Sequence, residues 1–129
     1  MTLTWWILSG TVFLVVLYFC TLLCVIIRLM INRVAKGNRL ELKAKKILEI
    51  AGYCVERPKR TRFNSIDFFD KFDLIAVNKN GWRLIQVKAG YLSTIDREQI
   101  ELFEVPANTT KEFWRFVDRV KEPIIQYIK

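Results

Sequence analysis

The sequence predicts an α/β domain preceded by one transmembrane helix, and three observations carry this prediction. No charged residue occurs in the first 27 positions, whereas all 21 basic and all 13 acidic residues lie from Arg28 onward. Apolar residues then recur at helical spacing, and short β-like runs follow, two of them flanking an Asn-Gly pair. The 129 residues leave room for one small domain beyond the apolar segment.

The apolar segment runs from Leu3 to Ile27 without a charge. As a helix it would reach roughly 37 Å, which exceeds a hydrocarbon core of about 30 Å. Trp5 and Trp6 suit one membrane interface, and the basic residues from Arg28 onward suit the other. We therefore expect residues 1–31 to form an anchor that crosses the membrane through residues 3–27, with the C-terminal domain in the cytoplasm.

Met30 offers an alternative reading of the same segment. A chain that started at Met30 would be a complete soluble domain in the cytoplasm, and residues 1–29 would then be a mis-started extension or an anchor added to that domain. A cleaved signal peptide fits poorly, because no basic region precedes the long apolar run and no small-residue cleavage site follows it.

The net charge of +8 is concentrated in one stretch of the chain. From Arg28 to Arg62 there are 11 Lys or Arg residues against three Glu residues, and the remainder is balanced. Such a block suits nucleic-acid phosphates or an anionic lipid surface, although a solvated basic helix has the same composition.

The residue types exclude several kinds of chemistry. The chain has no histidine, and its three cysteines (Cys20, Cys24 and Cys54) form no CxxC pair. We therefore expect no zinc, no haem and no disulfide, and no catalysis that depends on histidine. A metal bound here would be an oxygen-ligated ion such as Mg²⁺ or Mn²⁺.

The domain, residues 37–129, opens with a predicted helix over about 38–51 that Gly52 ends. Tyr53 to Glu56 follows as a strand, and residues 59–70 as a loop. Two further strands are predicted over 72–77 and 82–87. Asn80-Gly81 would join them as an antiparallel hairpin, because both residues tolerate positive φ.

The last third of the chain is predicted to contain a helix and two strands. Thr94 to Glu104 suits a helix with Ile95, Gln99, Leu102 and Phe103 on one side. The strands are expected over 113–118 and 124–128. A competing reading makes 109–118 a helix, because Thr109 and Glu112 have capping-box spacing. Either way the order is that of an α/β domain.

The predicted hairpin brings a set of chemically useful residues together. Asp73 opens one strand, and Gln86 and Lys88 are two apart on the other, so their side chains share a face. We expect Asp73, Gln86 and Val87, which lies between Gln86 and Lys88, to surround a divalent metal ion. Such an ion can acidify a bound water for attack on a phosphodiester. Lys88 would orient that water or neutralise charge on the phosphate. Glu41, expected on the exposed side of the first helix, would add a second carboxylate.

Four segments resemble successive motifs of the PD-(D/E)xK nuclease superfamily: Gly37–Glu41, Gly52–Val55, Phe72–Ala76 and Ile85–Lys88. They look most like the archaeal Holliday-junction resolvases and their Mrr-type and viral relatives. The resemblance implies a restriction-endonuclease-like αβββαβ core, Mg²⁺-dependent phosphodiester cleavage and DNA as substrate.

The resemblance also implies roles for individual residues. Asp73 matches the strand acid of the family, Lys88 its lysine and Glu41 its helix glutamate. Gln86 takes the place of the second acid, as in Mrr-like members with a QxK motif, and therefore carries one negative charge fewer.

The loop before the predicted site is basic and suits phosphate contacts that would position DNA, through Arg57, Lys59, Arg60 and Arg62. The expected function is a metal-dependent DNA endonuclease of resolvase or restriction type, working as a homodimer because one such site cuts one strand. Two alternatives are a catalytically inactive DNA-binding module of the same fold and a membrane-surface interaction protein.

Overall fold

A computed structural model of the chain describes residues 2–59 and 67–129, with side chains from residue 12 onward. The chain divides into two compact units, Met1–Lys36 and Gly37–Lys129. Helix α1 spans Thr2–Ile50, so its last turns belong to the second unit.

The first unit is a stretch of α1 with exposed apolar side chains. Every side chain from Val12 to Val34 is exposed. Within the described residues, this helix alone is long and apolar enough to cross a membrane, and its most apolar 18-residue window has a mean hydropathy of 2.7. A signal sequence near the N-terminus would have the same length and composition.

The expected helix over 38–51 is continuous with the apolar helix before it, so no new helix begins at Asn38. Gly37 does not interrupt α1, since a glycine inside a helix costs only about 1 kcal/mol relative to alanine. The helix ends as predicted at Gly52, whose φ is +87°. The Tyr53 N–H donates to the Leu48 carbonyl at 3.0 Å and the Gly52 N–H to the Glu49 carbonyl at 3.0 Å, which is a Schellman ending.

The second unit contains a five-stranded mixed sheet. The strands lie in chain order and are β1 (Cys54–Glu56), β2 (Leu74–Asn78), β3 (Gly81–Lys88), β4 (Thr109–Arg115) and β5 (Ile124–Ile128). All neighbouring strands are antiparallel except β3 and β4, which are parallel. Helix α2 (Thr94–Glu101) lies in the connection between those two strands, because parallel strands need a crossover. The α/β class is therefore confirmed.

The hairpin between β2 and β3 is confirmed, but its turn differs from the prediction. Lys79 and Asn80 form the two-residue loop between the paired residues Asn78 and Gly81. Gly81 has the positive φ, +140°, and Asn80 does not. The Asn78 side chain stabilises the turn instead, since its Oδ1 accepts from the Asn80 N–H at 2.8 Å.

The sheet has a hydrophobic cluster on each face, because side chains alternate along every strand. We call the two faces the α1 face and the α2 face. The α1 face packs the buried helix residues Ala44 and Leu48 against strand residues Val55, Leu74, Ala76, Ile85, Val87, Trp114 and Phe116. The α2 face packs Ile100 of α2 with Phe72, Leu84, Phe113 and Ile128.

Helix α2 is shorter than predicted and turns a different side to the sheet. It ends at Glu101, and its buried residue is Ile100, whereas Ile95 and Leu102 are exposed. The predicted apolar side was therefore wrong for Ile95 and Leu102, whereas Phe103, which follows the helix, packs against the core of the α2 face. The competing helix over 109–118 is also wrong, because Thr109–Arg115 forms β4.

Candidate functional site

Asp73 lies directly before β2 and is bonded to the backbone of β3. Its N–H donates to the Ile85 carbonyl at 2.9 Å, and its Oδ2 accepts from the Val87 N–H at 2.8 Å. The side chain is 5% exposed. Asp73 therefore continues the hydrogen bonding of the hairpin and holds its carboxylate against the segment between Gln86 and Lys88.

Gln86 and Lys88 share the α2 face near the end of β3, as their spacing predicted. Both line a cavity of about 230 Å³. The other residues that line it come from the segment before β2 and from α2, and they are Asp67, Asp70, Lys71, Asp96, Gln99 and Ile100. The cavity is thus bordered by charged and amide groups from three parts of the domain.

An ion pair holds Lys88 at this cavity. Its Nζ lies 2.8 Å from Oδ2 of Asp96, in the first turn of α2. The hydrogen bond from Lys88 lowers the pKa of Asp96, and a further hydrogen bond within the N-terminal turn, which Ser93 caps, acts in the same direction. Asp96 is therefore the residue that orients the lysine, and no motif in the sequence marked it.

Glu41 does not lie on the exposed side of its helix, as was predicted, but is 4% exposed. Its Oε2 accepts from Nη2 of Arg57 at 2.7 Å. Arg57 carries a second feature, a buried Nε with no hydrogen-bond partner among the described residues. The predicted phosphate-binding role of Arg57 thus competes with a salt bridge inside the domain.

The rest of the predicted basic loop is only partly described. Lys59 is exposed, as a DNA-contacting lysine would be. Arg60 and Arg62 lie outside the described residues.

Asp73 and its neighbours on β3 offer oxygen atoms, which are the ligands that Mg²⁺ prefers. They are the carboxylate of Asp73, the amide oxygen of Gln86 and the main-chain carbonyl of Val87, whose own side chain is buried. Within residues 2–59 and 67–129, no three His, Cys, Asp or Glu side chains are grouped closely enough to hold a metal ion. Mg²⁺ is nevertheless commonly held by one or two carboxylates together with water and substrate phosphates.

A second polar group lies on the α1 face and was missed in the sequence. Glu112 of β4 is 1% exposed, and its carboxylate accepts two hydrogen bonds from Arg83, at 2.7 and 2.6 Å. Thr110 and the Trp114 indole each donate one more, at 2.8 Å. The signal that could have revealed it is an acidic residue among Phe and Trp in a buried strand, which requires a partner.

The hydrogen bonds outweigh the effect of burial on this carboxylate. Burial alone would raise the pKa of Glu112, but the bonds from Arg83, Trp114 and Thr110 and the Arg83 charge lower it below its ordinary 4.5. The same pairing raises the pKa of Arg83. We therefore interpret the pair as an ionised structural element and not as a proton donor.

No family model matches the chain, and neither the curated proteins nor the solved structures contain a significantly similar protein. The function must therefore be argued from the residues and their geometry.

Proposed function

We propose that this chain is a membrane-anchored, metal-dependent DNA endonuclease with a restriction-endonuclease-like core. The observation that carries the proposal is the hydrogen bond from the Val87 N–H to Asp73. It holds the acid that precedes β2 beside the Gln86–Lys88 segment of β3, which is the juxtaposition that the PD-(D/E)xK resemblance implies. The order helix, three antiparallel strands, helix and parallel strand is consistent with the αβββαβ core.

Asp73, Gln86 and the Val87 carbonyl would hold the divalent ion. When bound, such an ion supplies charge for the scissile phosphate and lowers the pKa of a water. Lys88 lines a cavity together with Gln86, and its ammonium would neutralise charge that builds up on a phosphate bound there. Asp96 keeps that ammonium in one place, so the cation is positioned before substrate binds.

The test is cleavage of linear, flapped and four-way DNA by the full-length chain in detergent, with Mg²⁺ and with Mn²⁺. Asp73→Asn retains an oxygen that can accept from the Val87 N–H but removes the charge, and Lys88→Ala removes the cation. Both changes should abolish cutting and leave DNA binding largely intact. Lys79→Ala, at the exposed hairpin turn, is the matched control for lysine loss. Cleavage that continues undiminished in Asp73→Asn would refute the proposed site.

A binding module without chemistry is the second candidate, and the Glu41–Arg57 salt bridge favours it, because the helix carboxylate is engaged away from the cavity. Gln86→Glu separates the two functions, since it restores the second acid of the motif. An active enzyme should keep or increase its rate with this substitution. A chain that cuts only after Gln86→Glu would be a binding module.

The anchor is a separate part of the proposal, and the exposed apolar stretch of α1 supports it. The full-length chain should resist carbonate extraction from membranes, whereas a chain beginning at Met30 should be soluble. Recovery of the full-length chain in the soluble fraction would contradict the anchor and would leave the nuclease proposal standing.

A further inference from the structure

Tyr91 and Arg115 form a stacked pair beside the cavity. Tyr91 lies in the connection between β3 and α2, and its side chain is 77% exposed. The Arg115 guanidinium lies over the Tyr91 ring, with 3.8 Å between its central carbon and the ring centroid. Arg115 is the last residue of β4 and the register partner of Lys88 on β3. The pair is therefore next to the lysine of the proposed site.

This pairing fixes an exposed aromatic ring that a loop alone would leave mobile. Arg115 belongs to a strand within the sheet, and its guanidinium holds one face of the ring through a cation–π contact. The Nε of Arg115 is buried and has no hydrogen-bond partner among the described residues. Most of the Tyr91 side chain faces water, so burial in the core does not account for this arrangement.

We propose that Tyr91, held by Arg115, is a stacking platform for an unpaired nucleobase at the edge of the cavity. An exposed ring stacks on any base, and a neighbouring guanidinium adds attraction to the base and the phosphate. The inference rests on the proposed function and gives it a substrate class, which is DNA with unpaired bases next to the scissile phosphate. Fully paired duplex hides its base faces and would not use the platform.

Binding without cleavage tests the platform. The full-length chain in detergent, with EDTA present, is titrated with a single strand that contains 2-aminopurine and with a blunt duplex of the same sequence. Stacking should quench the 2-aminopurine fluorescence. Tyr91→Ala should remove the quenching and weaken single-strand binding by roughly 5- to 150-fold, the range for losing one stacked base. Duplex binding should change less than about twofold.

Three variants sharpen the test. Tyr91→Phe keeps the ring and should bind like wild type. Arg115→Lys keeps the charge but loses the planar stack, so it should give an intermediate loss on the single strand. Tyr127→Ala, which removes another exposed tyrosine on β5, is the matched control and should have no effect.

The outcomes separate the platform from the nuclease. Equal weakening of single strand and duplex, or no change in Tyr91→Ala, overturns the platform even if the chain cleaves DNA. Quenching that depends on Tyr91 supports the platform even if no cleavage is found. A wild-type chain without affinity for any DNA overturns the platform whatever the cleavage assay gives.

Discussion

Strand β3 contributes one residue near each of its ends to an ion pair, and the two ion pairs differ in their surroundings. Near the amino end of β3, Arg83 is bonded through two contacts to Glu112 in the middle of β4, and the Glu112 side chain is 1% exposed. At the carboxyl end of β3, Lys88 and Asp96 share one contact of 2.8 Å, with side chains 34% and 42% exposed.

The Arg83–Glu112 ion pair is enclosed and stabilises the sheet, whereas the Lys88–Asp96 ion pair remains open to solvent. Among the described residues, the Glu112 carboxylate accepts its four hydrogen bonds from Arg83, Thr110 and Trp114 on the same sheet face, which leaves it little freedom to move. A half-exposed pair such as Lys88–Asp96 contributes about 1 kcal/mol or less, since water screens both charges. Separating Lys88 from Asp96 should therefore cost the fold little.

The largest effect is expected from Glu112→Ala. Removing the carboxylate leaves Arg83 partly buried without its partner, which typically costs about 3–5 kcal/mol. Urea unfolding followed by tryptophan fluorescence measures the loss. The double variant Arg83→Met/Glu112→Leu replaces both charges by apolar groups and should lose much less. A single variant as stable as wild type would show that the pair is not structural.

The next largest effect on stability is expected at a glycine: alanine should be more costly at Gly81, the first residue of β3, than at Gly90, just after the strand. A Cβ at Gly81 would meet the Asn108 carbonyl oxygen, and the residue has a φ of +140°, whereas nothing lies within 4 Å of a Cβ at Gly90. We expect Gly81→Ala to cost about 2–3 kcal/mol, from backbone strain and overpacking together. Gly90→Ala should stay within about 0.5 kcal/mol, as an unhindered surface change. Equal unfolding midpoints for the two variants would contradict this contrast.

The pH dependence of stability should reflect the titration of Glu112. The pKa of Glu112 is lowered in the folded chain, so its contribution is complete above its ordinary 4.5 and is lost as the pH falls through the lowered value. Unfolding free energy measured from pH 6 to pH 3 should therefore decline on the acid side. The decline should be shallower in Glu112→Gln, and an identical slope in both chains would exclude Glu112 as its source.

Of the two ion pairs, the one at the carboxyl end of β3 should affect stability less. Asp96→Asn removes the charge that pairs with Lys88 and a favourable carboxylate from the first turn of α2, so the loss should be below about 1 kcal/mol. Ser93→Ala removes the N-cap of the same helix and should cost about 1 kcal/mol, which makes it the matched comparison. Urea midpoints measure both. A loss above 3 kcal/mol in Asp96→Asn would place this pair in the same class as Arg83–Glu112.

Local patterns in the sequence were enough to predict most of the elements. The hairpin, the helix end at Gly52 and the strands in the tail each depend on neighbouring residues, and all are present. The bounds differ where packing decides. One case is α2, where Ile100 and not Ile95 or Leu102 faces the sheet.

Partners far apart in the sequence could not be predicted in the same way. Glu41 meets Arg57 and Arg83 meets Glu112 only because the fold brings separate elements together, at separations of 16 and 29 residues. Lys88 was singled out in advance, but its counter-ion Asp96 was not, because the first turn of α2 had to be placed over the sheet before the contact existed. The contact between Tyr91 and Arg115 could not be predicted either, because the two residues are far apart in the sequence and meet only in the folded domain.

Asp73 and Gln86 differ in how much substitution each position can accept without loss of the fold. The Asp73 carboxylate accepts the Val87 N–H and so completes the hydrogen bonding of β3, which means that the fold itself depends on an acceptor at this position. The Gln86 side chain lines the cavity, so exchange between amide and carboxylate there changes charge and leaves the backbone bonds of the sheet intact. Substitutions that change the charge of the cavity at position 86 should therefore cost the fold less than substitutions at position 73.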